Sequence, residues 1–243
     1  AATPSPVTGT SAQLSVLGSD DAGEGNLTYT WSATGGTFER PVNFSENGTN
    51  AAKNTSASMK IAGNYSFNVT IRDAQGLTNT SSVDVTVQQT ATSMDVLPAA
   101  TAIAYGSTQS FTAHVLDQFG DALAVPPAIT WSSSGGGSID AGGVFSANAV
   151  GGPFTVTATA GSLTAQADIT ITKATALVSL TNLAQIYDGN PKPITVTTTP
   201  SGLATSITYN GSATAPSEFG SYTIAATIVD ANYEGSATGV LVV

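Results

Sequence analysis

Oxygen-bearing side chains gather in one short stretch of the sequence, GSDDAGEGN at positions 18 to 26. Asp20, Asp21, Glu24 and Asn26 fall within seven consecutive residues. Carboxylate and amide oxygens are the ligands that calcium prefers, and the ion takes about six to eight of them. The stretch lacks the regular spacing of an EF-hand loop. A calcium site here would therefore need oxygens from another part of the fold.

Asp73, in the segment IRDAQGL, is the fifth candidate ligand. In a seven-stranded β-sandwich of two antiparallel sheets, the loop between the second and third strands and the loop between the sixth and seventh lie at the same end. The sequence therefore supports the hypothesis that calcium binds Asp20, Asp21, Glu24, Asn26 and Asp73. The alternative is that these residues are hydrated loop residues that close turns.

The chain carries few residues for catalysis. It contains no cysteine, which excludes thiol chemistry and disulfides, and His114 is its single histidine. His114 alternates with Phe111, Ala113 and Val115, and this pattern predicts an exposed residue on a strand. A Gly-x-Ser-x-Gly nucleophile motif is absent from the sequence. We therefore expect no enzyme activity.

Composition narrows the classes of partner. Sixteen acidic residues against six basic ones give the 243-residue chain a net charge of −10. Such a chain repels phosphate backbones, so nucleic acid is not expected as a partner. The apolar runs are far shorter than the roughly 20 residues of a membrane span, so membrane insertion is not expected either. Abundant threonine and valine favour strands.

A hairpin pattern recurs three times along the chain. Each copy begins with a glycine, one spacer residue and an aromatic residue, and then contains an alternating run, a short turn and a second alternating run. The first strands are GNYSFNVTI, GPFTVTA and GSYTIAATI, and the second strands end at positions 87, 171 and 243. Strict alternation predicts strands with one buried face.

Two tryptophans indicate the type of sandwich. Trp31 ends the alternating segment NLTYTW, and Trp131 ends AITW. A buried tryptophan on the third strand and an aromatic residue opening the sixth are typical of immunoglobulin-like folds. Tyr65 and Tyr222 can form the tyrosine corner of that fold, whereas Phe154 has no hydroxyl and must close its corner by packing.

We therefore predict an all-β protein of three tandem immunoglobulin-like β-sandwich domains in an extended rod. The predicted boundaries are 1–90, 91–172 and 173–243. The junctions between them are short and lack glycine, which limits the bending of neighbouring domains relative to each other.

Each predicted domain resembles a known bacterial module. The first, through LTYTWSATGG and AGNYSFNVTIRDAQG, looks like a PKD-like or related immunoglobulin-like repeat. The second, through ITWSSSGGGSIDAGGVFSA, is similar to group 2 bacterial immunoglobulin-like domains. The third resembles the mostly bacterial glycine-rich (MBG) domain, through YDGNPKP and DANY.

The resemblance implies a segment of a longer protein that is secreted or held at the bacterial cell surface. A stalk or adhesion segment is the expected role, with neighbouring domains of the longer chain and cell-surface or polysaccharide ligands as partners. The alternatives are an accessory carbohydrate-binding module of a secreted enzyme and a protomer of an extracellular fibre. A carbohydrate platform needs exposed aromatic rings, and the candidates are Phe38, Phe44, Phe119, Phe219 and Tyr233.

Overall fold

The computed structural model describes residues 1–35 and 40–243. Its regular secondary structure consists almost entirely of β-strands. The first group of strands is β1 (Ala2–Thr3), β2 (Ser11–Ser15), β3 (Thr28–Gly35), β4 (Asn43–Phe44), β5 (Asn54–Ser58), β6 (Gly63–Arg72) and β7 (Thr78–Val87). The second is β8 (Ser93–Leu97), β9 (Ala100–Ala104), β10 (Thr108–Ser110), β11 (Thr112–Leu116), β12 (Ile129–Ser133), β13 (Gly137–Ile139), β14 (Val144–Ala147), β15 (Gly151–Ala160) and β16 (Leu163–Thr172). The third is β17 (Ala174–Thr175), β18 (Leu177–Thr181), β19 (Thr195–Thr199), β20 (Thr205–Tyr209), β21 (Ser221–Ile228), β22 (Tyr233–Glu234) and β23 (Ser236–Val242).

Helical structure in the described ranges is limited to two single turns of 3₁₀-helix, Glu24–Asn26 and Ala51–Lys53. Neither is long enough to cross a membrane.

The first seven strands form two sheets, in the orders β1-β2-β5-β4 and β3-β6-β7. Alternation places Tyr65, Phe67 and Val69 of β6 on the inner face, where each is at most 2% exposed. Tyr29 and Trp31 of β3 share this core, as the sequence pattern predicts. The Trp31 indole N–H donates to the Ala52 carbonyl at 2.8 Å, which satisfies its one polar atom.

The three predicted hairpins are confirmed. They are the antiparallel pairs β6–β7, β15–β16 and β21–β23, each in the region where the alternation recurs.

The two tyrosine corners are confirmed as well. The Tyr65 hydroxyl donates to the Ile61 carbonyl at 2.8 Å, and the Tyr222 hydroxyl to the Glu218 carbonyl at 3.1 Å.

Phe154 fills the corresponding corner of the middle region by packing. Its ring lies directly against Gly135 and Gly136, two glycines with positive φ, and a Cβ at Gly136 would overlap the ring. The glycine cluster therefore leaves the space that this aromatic ring occupies.

The middle and last regions form further sheets. The middle strands form the orders β12-β15-β16-β9 and β10-β14-β13, with β9 parallel to β16. The last strands form β18-β19 and β20-β21-β23, with the short parallel pair β17–β22 beside them. Ile224 and Leu241 are fully buried in the core of the last region.

The chain separates into two compact units. Unit 1 contains Ala1–Asp95, His114–Ala128 and Ala160–Leu163, and unit 2 contains Val96–Ala113, Ile129–Thr159 and Thr164–Val243.

Candidate functional site

A cleft of about 160 Å³ lies at one end of the first sandwich, and Asp20 and Asp73 both line it. We call this end, which carries the loop after β2 and the turn after β6, the loop end of unit 1. Ile71 and Leu27 form the apolar floor of the cleft. The Oδ2 atom of Asp20 is buried and has no hydrogen-bond partner among the described residues. The structure thus brings two of the five predicted calcium ligands together.

Glu24 serves a different set of partners. Its Oε1 accepts a hydrogen bond from the Tyr29 hydroxyl at 2.9 Å, and its Oε2 pairs with Lys53 at 2.9 Å. Asn50 donates to Oε1 of Glu24 at 3.0 Å and to the Leu27 carbonyl at the same distance. The carboxylate therefore ties its loop to β3 and to the second 3₁₀ turn.

This network shifts the acidity of two groups. The Lys53 hydrogen bond is the main reason that the pKa of Glu24 lies below its ordinary value, with Tyr29 the second cause. Burial raises the pKa of the Tyr29 hydroxyl, and the neighbouring Glu24 carboxylate adds to the rise. Both groups therefore hold their usual charge at neutral pH.

Of the other predicted calcium ligands, Asn26 and Asp73 form hydrogen bonds within their own loops, and Asp21 is exposed. The Asn26 amide donates to the Ala22 carbonyl at 2.6 Å, and the Asp21 side chain is exposed. The Asp73 carboxylate accepts from the Leu77 N–H at 2.8 Å and closes the β6–β7 turn. Across residues 1–35 and 40–243, no group of three or more His, Cys, Asp or Glu side chains is gathered closely enough to hold a metal.

His114 is exposed on β11, as its alternation with apolar residues predicts. Its Nδ1 lies 2.9 Å from Oδ1 of Asp95, and both side chains are about half exposed, at 44% and 48%. This is a surface pair on neighbouring strands.

The candidate aromatic platform is mostly used for packing. Phe44 meets Phe67 edge to face at 5.8 Å, and Phe119 packs against the core of the first sandwich. Tyr233 meets Tyr105 edge to face at 5.4 Å. Phe219 is exposed, and Phe38 lies outside the described residues.

The loop after β11 forms several polar contacts within unit 1, and we name residues 117–122 the docking loop. The Gln118 amide donates to the Gln88 carbonyl at 2.7 Å and to the Gly9 carbonyl at 3.2 Å. Its Oε1 accepts from the Thr90 N–H at 2.8 Å. Arg40 spans the same contact, pairing with Asp121 at 2.8 Å and donating to the Lys60 carbonyl at 2.9 Å.

Asp117 holds the docking loop together from inside. It is only 2% exposed, and its carboxylate accepts from the Gln89 amide at 2.9 Å and from the Phe119 and Asp121 N–H groups at 2.9 and 3.0 Å. Burial raises the pKa of this carboxyl, but these hydrogen bonds and the charge of Arg40 together outweigh it. The pKa of Asp117 is therefore below its ordinary value.

A comparable contact occurs within unit 2. The carboxylate of Asp230 accepts from the Asn232 and Tyr233 N–H groups at 2.7 and 3.0 Å. Lys173 donates to the Asp230 carbonyl at 2.6 Å. This loop presents Tyr233 to Tyr105.

The sequence pattern did not predict the contacts made by the Asp117 loop and the Asp230 loop. The available signal was an aspartate followed two or three residues later by an aromatic residue, as in Asp117–Phe119 and Asp230–Tyr233. That spacing closes a turn with an aromatic ring at its tip.

Family comparisons match the two outer regions. Residues 5–87 match the model described as "K319L-like, PKD domain", and residues 176–243 match the model described as "MBG domain". No curated protein matches the chain significantly.

The solved structures to which this chain shows similarity include two of the S-layer protein SbsC and several cadherin ectodomains. Domains 4 and 5 of SbsC are 13% identical with a TM-score of 0.35, covering 70% of this chain and 92% of that one. Human CDH23 EC21-23 is 14% identical with a TM-score of 0.40, covering 88% of each chain. Drosophila N-cadherin EC1-4 is 10% identical with a TM-score of 0.35, covering 93% of this chain and 69% of that one.

The β3-β6-β7 sheet with its buried tryptophan lies within the first family match, and the β20-β21-β23 sheet lies within the second. The chain is thus an all-β protein whose first region is similar to the K319L-like PKD domain and whose last region is similar to the MBG domain.

Proposed function

We propose that this chain is a non-catalytic extracellular stalk or adhesion segment of a bacterial surface or secreted protein. The observation that carries the proposal is the pair of hydrogen-bonded loop contacts, one around Asp117 and one around Asp230. The loop around Asp117 forms hydrogen bonds with the predicted junction segment Gln88–Thr90. The loop around Asp230 forms hydrogen bonds with the predicted junction segment Lys173–Ala174. Such contacts stiffen a tandem array because bending at the segment would break several hydrogen bonds at once.

The proposed role predicts an elongated particle in solution. A compact chain of this length would have a radius of gyration of about 18 Å. We expect small-angle X-ray scattering of the 243-residue chain to give a clearly larger value and an asymmetric pair-distance distribution. A radius near the compact value, with a symmetric distribution, would contradict the stalk proposal.

Calcium binding at the loop end of unit 1 is proposed as a means of rigidifying that end. Support comes from the shared cleft of Asp20 and Asp73 and from the buried, unpaired Asp20 Oδ2. Calcium would complete its shell with water and backbone oxygens, as it commonly does.

Adding millimolar calcium to the chelator-treated chain is expected to raise its melting temperature. A ligand that binds only the folded state adds about 2.7 kcal/mol at a hundredfold excess over its dissociation constant. The rise should be lost in Asp20→Asn and kept in Asp21→Asn, since Asp21 does not line the cleft. Equal melting curves with and without calcium would contradict the site.

A further inference from the structure

Two asparagines in this chain are followed directly by glycine, in the pairs Asn47–Gly48 and Asn210–Gly211. The backbone nitrogen of such a glycine can attack the Cγ atom of the preceding asparagine, because glycine has no Cβ to obstruct the approach. The reaction converts the asparagine to aspartate or isoaspartate. Its rate depends on what holds the attacking nitrogen and the side-chain amide, and the fold holds the two pairs differently.

The side chain of Asn47 is bound on both sides of its amide. Its Oδ1 accepts from the Trp31 N–H at 2.7 Å, and its Nδ2 donates to the Trp31 carbonyl at 2.9 Å. The attacking nitrogen is engaged as well, since the Gly48 N–H donates to the Tyr29 carbonyl at 2.9 Å. The amide and the glycine nitrogen are therefore both held against β3, and attack requires that these bonds open first.

Asn210 lies in a tight turn after β20. The Tyr209 N–H donates to the Ser212 carbonyl at 2.7 Å, and the Ser212 N–H donates to the Tyr209 carbonyl at 2.9 Å. The two central residues, Asn210 and Gly211, have φ angles of 49° and 85°. Positive φ at both central residues is what a type I′ turn requires, and Asn-Gly is its preferred sequence. Both residues are exposed to water.

The amide of Asn210 is held only at its oxygen. Its Oδ1 accepts from the Thr223 N–H at 2.8 Å, and negative charge develops on this oxygen during attack, so the donor stabilises the transition state. The Trp31 N–H supplies the same contact at Asn47. The difference lies in the other two groups, because within the described part of the chain neither the Gly211 N–H nor the Nδ2 of Asn210 forms a hydrogen bond.

We propose that Asn210 is a site of spontaneous deamidation in the folded chain and that β3 protects Asn47 from the same reaction. Hydroxide takes the Gly211 N–H proton, and the nitrogen forms a bond to Cγ of Asn210. The bond from Cγ to Nδ2 breaks, and the nitrogen leaves as ammonia after taking a proton from water. Water then opens the cyclic imide at either carbonyl, which gives aspartate or isoaspartate without any change of oxidation state.

The product changes both charge and backbone at this turn. Each event adds one negative charge to a chain that already carries −10. Isoaspartate also lengthens the main chain by one carbon between β20 and the strand segment that follows the turn. Neither the stalk role nor calcium binding needs this reaction, so the inference goes beyond the proposed function. It gives the region similar to the MBG domain a modification that accumulates with age.

Incubation of the full 243-residue chain in warm, mildly alkaline buffer tests the proposal. Samples are digested at intervals, and the peptides that contain Asn47 and Asn210 are quantified by liquid chromatography and mass spectrometry, which separate aspartate from isoaspartate. We expect Asn210 to react about tenfold faster than Asn47 or more, since one or two additional hydrogen bonds must open at Asn47 before attack. The variant Asn210→Gln should lose the product from its peptide.

The same incubation in concentrated urea is the control for the fold. The two pairs have similar sequence surroundings, because a hydroxyl residue follows each glycine, Thr49 in one case and Ser212 in the other. In the unfolded chain the two asparagines should therefore react at similar rates. A native ratio near one, a faster reaction at Asn47, absence of product at Asn210 in the folded chain, or a ratio unchanged by urea would each overturn the proposal.

Discussion

Replacing Asp117 with alanine is expected to lower the free energy of unfolding of the chain by about 3 kcal/mol. The carboxylate accepts three hydrogen bonds, from Gln89 and from the Phe119 and Asp121 N–H groups, in a position that is 2% exposed. Alanine removes this acceptor from the two backbone N–H groups, while the Gln89 amide keeps its hydrogen bond to the Ala122 carbonyl at 3.0 Å. Urea unfolding measures the loss, and hydrogen exchange at the Phe119 and Asp121 amides locates it.

Asp140 provides a matched control for this substitution. It closes a turn in the same way, accepting from the Gly142 and Val144 N–H groups at 2.9 Å each, but it is exposed. We expect Asp140→Ala to cost about 1 kcal/mol or less. Equal losses in the two variants would show that Asp117 contributes only as a turn residue.

The pKa of Asp117 also sets the direction of the acid response. Because its pKa is lower in the folded state than in the unfolded state, its stabilisation is complete above the unfolded pKa and is lost as the pH falls through the folded pKa. The difference in unfolding free energy between the natural chain and Asp117→Asn should therefore shrink as the pH is lowered below about 4. A difference that is constant with pH would exclude an ionised Asp117 as its source.

The strands could be predicted from the sequence because their signal is local. Alternation in Gly63–Arg72 is visible within a few residues, and the buried face follows from it directly. The tyrosine corner is equally local, since Tyr65 and Tyr222 each bond a carbonyl four residues earlier. Backbone geometry and nearby side chains decide these features, and both can be read from a short window.

The loop contacts could not be predicted because their partners are distant in sequence. Gln118 reaches Gly9, and Glu24 pairs with Lys53, 29 residues away. Loops carry no periodicity that reveals which face is buried or what it meets. The acidic stretch therefore suggested one common site, whereas folding directs Glu24 toward Lys53 and Asp20 toward the cleft with Asp73.

Truncating Phe67 to alanine is expected to destabilise the first sandwich by about 3 to 5 kcal/mol. Phe67 is fully buried, with its ring stacked on Tyr65 at 6.0 Å and edge to face with Phe44 at 5.8 Å. Alanine removes both ring contacts and leaves a cavity in a close-packed core. Urea unfolding followed by tryptophan fluorescence should show the change, because Trp31 lies in the same core.

Phe219→Ala is the control of the same residue type in the opposite environment. Phe219 is 76% exposed, so its truncation should change the unfolding free energy by less than about 0.5 kcal/mol. The pair compares one side chain in two environments, since Phe67 is buried in a core while Phe219 is exposed at the surface. A large loss of stability in Phe219→Ala would mean that the fold depends on this exposed ring, and a small loss in Phe67→Ala would mean that the core repacks around the missing ring.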